Sequence, residues 1–346
     1  MSSRILRSSS LVAGICLAAS TLAHAELQVA AGTPQGVMAA QLPVGKHAIA
    51  VPLLGQELWL GNVTGNFDNA ITVSGAPVTA ALQSGGQYYI EILSGPLEGE
   101  RFDLNAPATL AGNGGTVRIS LAATSFSTRL ALPTDALASA RAAIRSHVTL
   151  ATLQSMFSPA LVGNNSAALA DSVMILRDGI LYTYYLRADG ISWRESGKGA
   201  EERTKVIPPD SSLLVQLRSG AKRWVQLGDV RTNAFRLRLA AGTRAVASGY
   251  PVSLSPVEFG AFVDPALPAG QRWVGNDAGS ADTIQVFDAA TGAFKTYYLR
   301  ADGSSWYPAG GSGDQSVSPL FAPTGMVVIK RTNPDADYVV VPPFAL

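Results

Sequence analysis

The sequence predicts a mainly β protein, in which an N-terminal small β sandwich or barrel is followed by two tandem homologous β-rich modules with short helical segments. Three observations carry this prediction. Short apolar runs recur at intervals of roughly ten residues. Glycine and proline are plentiful, at 34 and 20 residues, whereas charged residues make up only 15% of the chain. Finally, one segment of eleven residues occurs twice.

Residues 1–25 have the pattern of a bacterial secretory signal peptide. Two arginines precede an uncharged run at residues 11–22, and the small residues Ala23 and Ala25 stand where a signal peptidase needs them. The run is shorter than the roughly 20 residues that a membrane-spanning helix requires. We therefore expect cleavage after Ala25, no later transmembrane segment, and a secreted, periplasmic or cell-surface protein.

The composition excludes several kinds of chemistry. The one cysteine, Cys16, lies within the signal peptide, so the mature chain is expected to lack disulfides, thiolate metal sites and cysteine nucleophiles. His47 and His147 are too few to suggest a metal site, and no cofactor is predicted. Loss of the leader lowers the formal net charge from +1 to −1, which predicts no nucleic-acid partner.

Residues 26–132 are predicted to form the N-terminal β domain. Its strands are expected at residues 47–54, 57–63, 70–73, 87–93, 100–104 and 116–121, with turn residues between them. Residues 133–146 are predicted to be a helical linker. Thr134 is the expected N-cap, and Leu137, Ala140 and Ile144 follow at helical spacing.

The repeat predicts two modules, at residues 147–248 and 249–346. Residues 183–193 recur as residues 296–306 with ten of eleven positions identical. Each copy is expected to form a hairpin, a second turn at Ala-Asp-Gly and a third strand that begins at tryptophan. A short helix is predicted before each meander, at residues 149–157 and after Ser255, where Ser-Pro-Val-Glu forms a capping box.

Aromatic and basic side chains in the copied segment are the candidate ligand contacts. Strand periodicity places Tyr184 and Leu186 on one face of the sheet and Tyr185 on the other. A tyrosine and the nearby tryptophan can form a platform that stacks on sugar rings, or they can pack within the protein, which is the commoner role of aromatic residues on strands. The candidates for the platform are Tyr185, Arg187, Trp193, Tyr298, Arg300 and Trp306.

Catalytic groups are harder to find. Asp189 and Asp302 occupy the same place in the two copies and are candidate acids or bases, but Asp-Gly after a strand is ordinary turn chemistry and that interpretation is favoured. A carboxylate pair for glycoside cleavage can also be drawn from several glutamates, whose separation the sequence does not fix. These are Glu98, Glu100, Glu195, Glu201 and Glu202.

Four segments resemble a family of uncharacterised exported bacterial proteins of about this length, which has a repeated Thr-Tyr-Tyr-Leu-Arg hairpin ending at tryptophan. They are residues 147–153, 183–193, 206–210 and 249–251. The resemblance covers most of the mature chain. It implies export and this architecture, and it brings no known activity.

Three functional hypotheses follow. The first is an exported non-catalytic β-module protein of the cell envelope or extracellular space, with a binding or assembly role. Its partner would be a polysaccharide or another envelope protein. The duplication supports this hypothesis, because two linked copies of one binding surface gain avidity. The alternative is a secreted carboxylate-dependent hydrolase acting on polysaccharide. The third is a subunit that assembles through exposed strand edges.

Overall fold

The computed structural model describes residues 25–28, 34–67, 70–74, 82, 86–104, 116–120, 135–177, 179–209, 211–239, 241–333 and 336–344. The predicted signal sequence before Ala25 and the predicted N-cap Thr134 lie outside these residues. Within them the fold is mainly β, as predicted, with antiparallel sheets and two short α-helices. No helix in this part of the chain is long and apolar enough to cross a membrane.

The elements follow in chain order. The strands before the first helix are β1 (Ala25–Gln28), β2 (Gln35–Leu42), β3 (Gly45–Ala50), β4 (Glu57–Phe67), β5 (Ala70–Ser74), β6 (Tyr88–Ile92), β7 (Arg101–Leu104), β8 (Thr116–Ser120), β9 (Arg141–Ser146) and β10 (Val148–Thr149). Helix α1 (Leu150–Gln154) comes next. It is followed by β11 (Phe157–Ser158), β12 (Ser172–Arg177), β13 (Ile180–Leu186), β14 (Trp193–Glu195), β15 (Val206–Ile207), β16 (Ser212–Leu217), β17 (Lys222–Asp229), β18 (Phe235–Leu239) and β19 (Gly242–Val246). After helix α2 (Pro256–Phe259) come β20 (Thr283–Asp288), β21 (Ala293–Leu299), β22 (Trp306–Pro308), β23 (Val327–Arg331) and β24 (Ala336–Val340).

Two five-stranded sheets have equivalent strand orders. One runs β14-β13-β12-β16-β3 and the other runs β22-β21-β20-β23-β19. Leu186 lies opposite Trp193 in the first sheet, and Leu299 lies opposite Trp306 in the second. Residues 183–193 and 296–306 therefore have the same strand and turn structure.

The equivalence extends to the two consecutive strands that begin each unit. Strands β2 and β3 pair with β17 and β16, and strands β18 and β19 pair with β24 and β23. Gly45 lies opposite Leu217 and Gly242 lies opposite Arg331, and both glycines have the positive φ that side chains disfavour, 134° and 108°. The first unit therefore combines residues 35–50 with residues 148–229, and the second comprises residues 235–340.

This pairing corrects the predicted boundaries. Strands β2 and β3 were expected in the N-terminal β domain, and β18 and β19 in the first module at residues 147–248. Strand β3 instead forms one edge of the first five-stranded sheet, and β19 forms one edge of the second. Strands β4 to β9, which form a separate six-stranded sheet, are consequently inserted between two strands of the first unit. Period-two patterns identify strands but carry no information about which distant strand completes a ladder.

The predicted helical linker at residues 133–146 is wrong. Turns occupy residues 135–139, and β9 then pairs with both β4 and β6 in the order β7-β6-β9-β4-β5-β8. Ala142 and Ile144 are fully buried in the apolar core of this sheet. Alanine tolerates either backbone conformation when two neighbouring strands supply hydrogen bonds, so tertiary pairing outweighs helix propensity here.

The two predicted helices are confirmed, and both are short. Thr149 caps α1 and forms a reciprocal capping box with Thr152. Ser255 and Glu258 do the same for α2, which ends at Gly260 in the left-handed conformation. Helix α1 buries Leu150 and Leu153 in the core of the first unit, and α2 buries Phe259 in the core of the second.

Each unit has a close-packed glycine and a buried aspartate at equivalent places before its copied hairpin. A Cβ on Gly163 would overlap the Arg187 carbonyl oxygen, and a Cβ on Gly275 would overlap that of Arg300. The buried Asp171 accepts from the backbone N–H of Val162 over 2.7 Å and of Arg218 over 2.7 Å. In the second unit, Asp282 likewise accepts from Val274 and Thr332, each over 2.8 Å. A buried aspartate therefore joins two loops in each unit.

Candidate functional site

The predicted platform does not form, because both tryptophans are in the core. Trp193 and Trp306 are each 0% exposed. The Trp193 indole N–H donates to Gln154 over 2.9 Å, and that of Trp306 donates to the Ala261 carbonyl over 2.6 Å. The expectation that they contribute to a sugar-stacking surface is wrong.

Strand pairing places Tyr185 and Trp193 on opposite faces of the sheet. Residues directly opposite in a ladder share a face, and Tyr185 lies opposite Arg194 whereas Trp193 lies opposite the buried Leu186. Tyr185 is buried, with 8% exposure, on the other side of the sheet.

The basic residues of the motif differ between copies. Arg187 is half-buried, whereas Arg300 is exposed and its guanidinium carbon lies 4.7 Å from the centre of the Tyr307 ring. Tyr298 is half-buried. The structure therefore does not gather the three candidates of either copy into one surface.

Asp189 and Asp302 build turns, as the favoured interpretation predicted. Asp189 accepts from the backbone N–H of Ile191 and Ser192, and Asp302 accepts from Ser304 and Ser305, all over 2.8–2.9 Å. Hydrogen bonds from Ser192 lower the pKa of Asp189 to about 2, and backbone hydrogen bonds lower that of Asp302 to about 2. Both carboxylates are exposed at separate turn tips and stay ionised near neutral pH.

Three of the glutamates considered for catalysis also have structural partners. Glu201 accepts from the backbone N–H of Trp193 and Arg203, over 3.0 and 2.8 Å. Glu195 pairs with Lys198 over 2.8 Å, and Glu202 lies 3.9 Å from Lys205. Glu195 ends β14, and Glu201 and Glu202 lie in the loop after it.

The inserted sheet has one apolar and one charged face. Along β6, Tyr88, Ile90 and Ile92 enter the apolar core, while Tyr89 and Glu91 point to the opposite side. Both of these are buried as well, Glu91 at 0% exposure. The charged face is therefore covered by the rest of the chain.

Arg145 of β9 is the centre of this charged face. Its guanidinium donates to the Asp229 carboxylate over 2.7 Å and to the Gly55 carbonyl over 2.9 Å. It also lies 3.7 Å from a Glu91 oxygen and 3.5 Å from a Glu57 oxygen. Because Asp229 ends β17, this cluster ties the inserted sheet to the first unit.

Arg231 extends the cluster toward the second unit. It forms an ion pair with Glu91 and is only 1% exposed. Burial lowers the pKa of its guanidinium from the ordinary value. The guanidiniums of Arg231 and Arg101 both lie on the ring of Phe235, 4.6 and 4.3 Å from its centre. Phe235 begins β18, so all three parts of the chain meet at this cluster.

A cleft of about 340 Å³ opens at this meeting point, and we name it the junction cleft. Its lining residues are Leu54, Glu57, Leu60, Leu93, Glu98, Arg141, Arg145, Val230, Arg231, Thr232 and Asn233. Its size is near the lower end of small-molecule sites, which often lie between domains. The cleft thus combines positively and negatively charged side chains with an apolar wall.

Sequence reasoning missed this site. Glu98 was considered for its carboxylate alone, and the arginines of β9 were hidden inside the predicted helix. The available signal was the alternation of charged and apolar residues in Arg-Ala-Ala-Ile-Arg and in Tyr-Ile-Glu-Ile, which suits a sheet covered on both faces.

Within the residues described, no cluster of three or more histidine, cysteine, aspartate or glutamate side chains is arranged to hold a metal ion. Comparison with protein families, with curated proteins and with solved structures gave no match. The resemblance to exported bacterial proteins stays a prediction, and the functional argument therefore rests on the geometry of this chain.

Proposed function

We propose that this chain is an exported non-catalytic β-module protein of the cell envelope or extracellular space, with a binding or assembly role. One observation carries the proposal: the chemical groups that the two copies share serve the fold. Asp189 and Asp302 are occupied by turn hydrogen bonds, and Trp193 and Trp306 are packed in the cores.

The binding side of the proposal is supported by the junction cleft. It lies where three parts of one chain meet, its polar side chains come from separate strands and turns, and a network of buried ion pairs fixes its base. Such a preorganised concavity suits recognition, because the protein loses little conformational entropy when a partner enters. The proposed partners are polysaccharide or another envelope protein.

The test is whether the purified protein binds envelope material. We expect the chain without residues 1–25 to co-sediment with isolated bacterial cell-wall or outer-membrane fractions and to give signals on a glycan array. A matched sample unfolded by heat is the control for nonspecific adhesion. Absence from every fraction, together with a flat array, contradicts the binding role.

One observation favours the hydrolase alternative: Glu57 and Glu98 line the same cleft. Glycoside cleavage uses two carboxylates that flank the scissile bond. If the protein is a hydrolase, it releases reducing ends from soluble polysaccharides, and Glu57→Gln and Glu98→Gln each abolish the release. We expect no release from either the wild type or these variants.

A further inference from the structure

We propose that the junction cleft binds an uncharged, hydroxyl-rich ligand of the size of one or two sugar rings. This inference rests on the proposed binding role and assigns it to one site. It follows from the charge balance of the cleft, its hydrogen-bonding groups and its apolar wall.

The charge balance argues against a ligand of high charge. Arg145 is paired with Asp229, and Arg231 is paired with Glu91, so neither buried arginine has an uncompensated charge. The other charged groups of the lining are Arg141, Glu98 and Glu57, and Glu57 also lies 3.5 Å from the Arg145 guanidinium. An anionic ligand would lie beside two carboxylates, and a cationic one beside the guanidinium, so each would meet repulsion in a confined space.

The hydrogen-bonding groups suit hydroxyls. Arg141 is exposed, and its side chain has no ion pair or hydrogen bond within the described residues. Glu98 uses one oxygen to accept from the Ala234 N–H over 3.0 Å and retains acceptor capacity. Thr232 is exposed and Asn233 half-buried on the same wall. A hydroxyl both donates and accepts, so it can bond to the arginine and to the carboxylates alike.

The remaining wall is aliphatic. Leu60 is 39% exposed, and Leu54, Leu93 and Val230 complete this side of the cleft. Sugar rings present C–H groups between their hydroxyls, and burial of such groups against aliphatic side chains is favourable. Ala143, opposite Leu60 on β9, is small and fully buried, so it adds no side-chain bulk at this position.

The test measures binding of uncharged and charged oligosaccharides to the full mature chain. Cellobiose, maltose and N,N′-diacetylchitobiose are the uncharged probes, and digalacturonic acid is the acidic comparator. Titration is followed by calorimetry and by the NMR shifts of leucine methyl groups. We expect at least one uncharged probe to bind and to shift the methyl signals of Leu60 and Leu93, with weaker binding of the acidic probe.

Two variants locate the site. Arg141→Ala removes an exposed side chain without a partner, and Glu98→Gln keeps an oxygen for the Ala234 N–H. Each is expected to weaken binding about tenfold or more, because a charge-assisted hydrogen bond is lost. Arg223→Ala is the matched control, since Arg223 is also exposed on a strand but lies outside the cleft. It should bind like the wild type.

The outcomes separate this inference from the broader role. Saccharide binding that Arg141→Ala and Glu98→Gln leave unchanged overturns the site and leaves a binding protein. Tighter binding of the acidic probe overturns the ligand class. Binding to envelope fractions without binding to any of the uncharged disaccharides overturns the inference while the proposed function stands.

Discussion

The Arg145 guanidinium donates to the Asp229 carboxylate over 2.7 Å, and this contact joins the inserted sheet to the last residue of β17. Arg145 is 3% exposed and also lies near two glutamates. Interfaces between domains of one chain are usually more polar than cores. Here the polar groups are almost fully desolvated, so their mutual pairing offsets the free-energy cost of burying them.

Removal of Arg145 should therefore be costly. Arg145→Met leaves Asp229 and Glu91 as buried carboxylates with a missing partner, and we expect the free energy of unfolding to fall by about 3–5 kcal/mol. Urea unfolding followed by circular dichroism measures it. Arg141→Met is the control on the same face of β9, and it should stay within about 0.5 kcal/mol because Arg141 is exposed. Equal stability of the two variants would show that the cluster does not hold the sheets together.

The two loop glycines should be intolerant of alanine. In Gly163→Ala and Gly275→Ala the new Cβ meets a backbone carbonyl, of Arg187 or Arg300, which cannot rotate away. We expect each to destabilise the protein by about 2 kcal/mol or more. Gly199→Ala is the matched control, because nothing lies within 4 Å of the added atom. Thermal unfolding compares the three, and a neutral Gly163→Ala would mean that the loop approaches β13 less closely.

Much of the fold could be predicted from local patterns, for physical reasons. The copied hairpins combine alternating residues with turn residues such as Gly179 and Gly292, both of positive φ, so the local sequence determines strand, turn and register together. The capping boxes at Thr149 and Ser255 are equally local. These elements need no knowledge of distant partners.

The pairing of β2 and β3 with strands far along the chain could not be predicted in this way. Nothing in residues 35–50 distinguishes β17 from a nearer strand as partner. The junction cleft was missed for the same reason, because Glu98, Arg141 and Arg231 come together only after the inserted sheet docks. Nor does the alternation of the copied strands say which face of the sheet is covered, so packing and a ligand platform stayed alternatives for the tryptophans.

The turn aspartates predict an acid-dependent loss of stability. Hydrogen bonds lower the pKa of Asp189 from 3.8 to about 2 in the folded protein. The stabilisation is therefore fully present above the unfolded pKa and is lost as the pH falls from 3.8 through about 2. Asp189→Asn should be less stable than the wild type at neutral pH, and the difference should shrink across this window. Unfolding at a series of pH values measures it, and a constant difference would mean that the carboxylate charge has no part in the turn.

Engineered disulfides test the pairing of β2 with β17, because the chain without residues 1–25 has no cysteine. Ala39 lies directly opposite Val225, and both are half-buried on the outer side of the sheet. Cα atoms of opposed residues in an antiparallel ladder are roughly 4.5–5.5 Å apart, which a disulfide spans. The double variant Ala39→Cys with Val225→Cys should oxidise quantitatively in the native state. Ala39→Cys with Val339→Cys, which places the second thiol on the equivalent strand β24, should stay reduced. Cross-linking of the second pair and not the first would assign β2 to the other unit, whereas the expected result fixes the inserted sheet between β3 and β10.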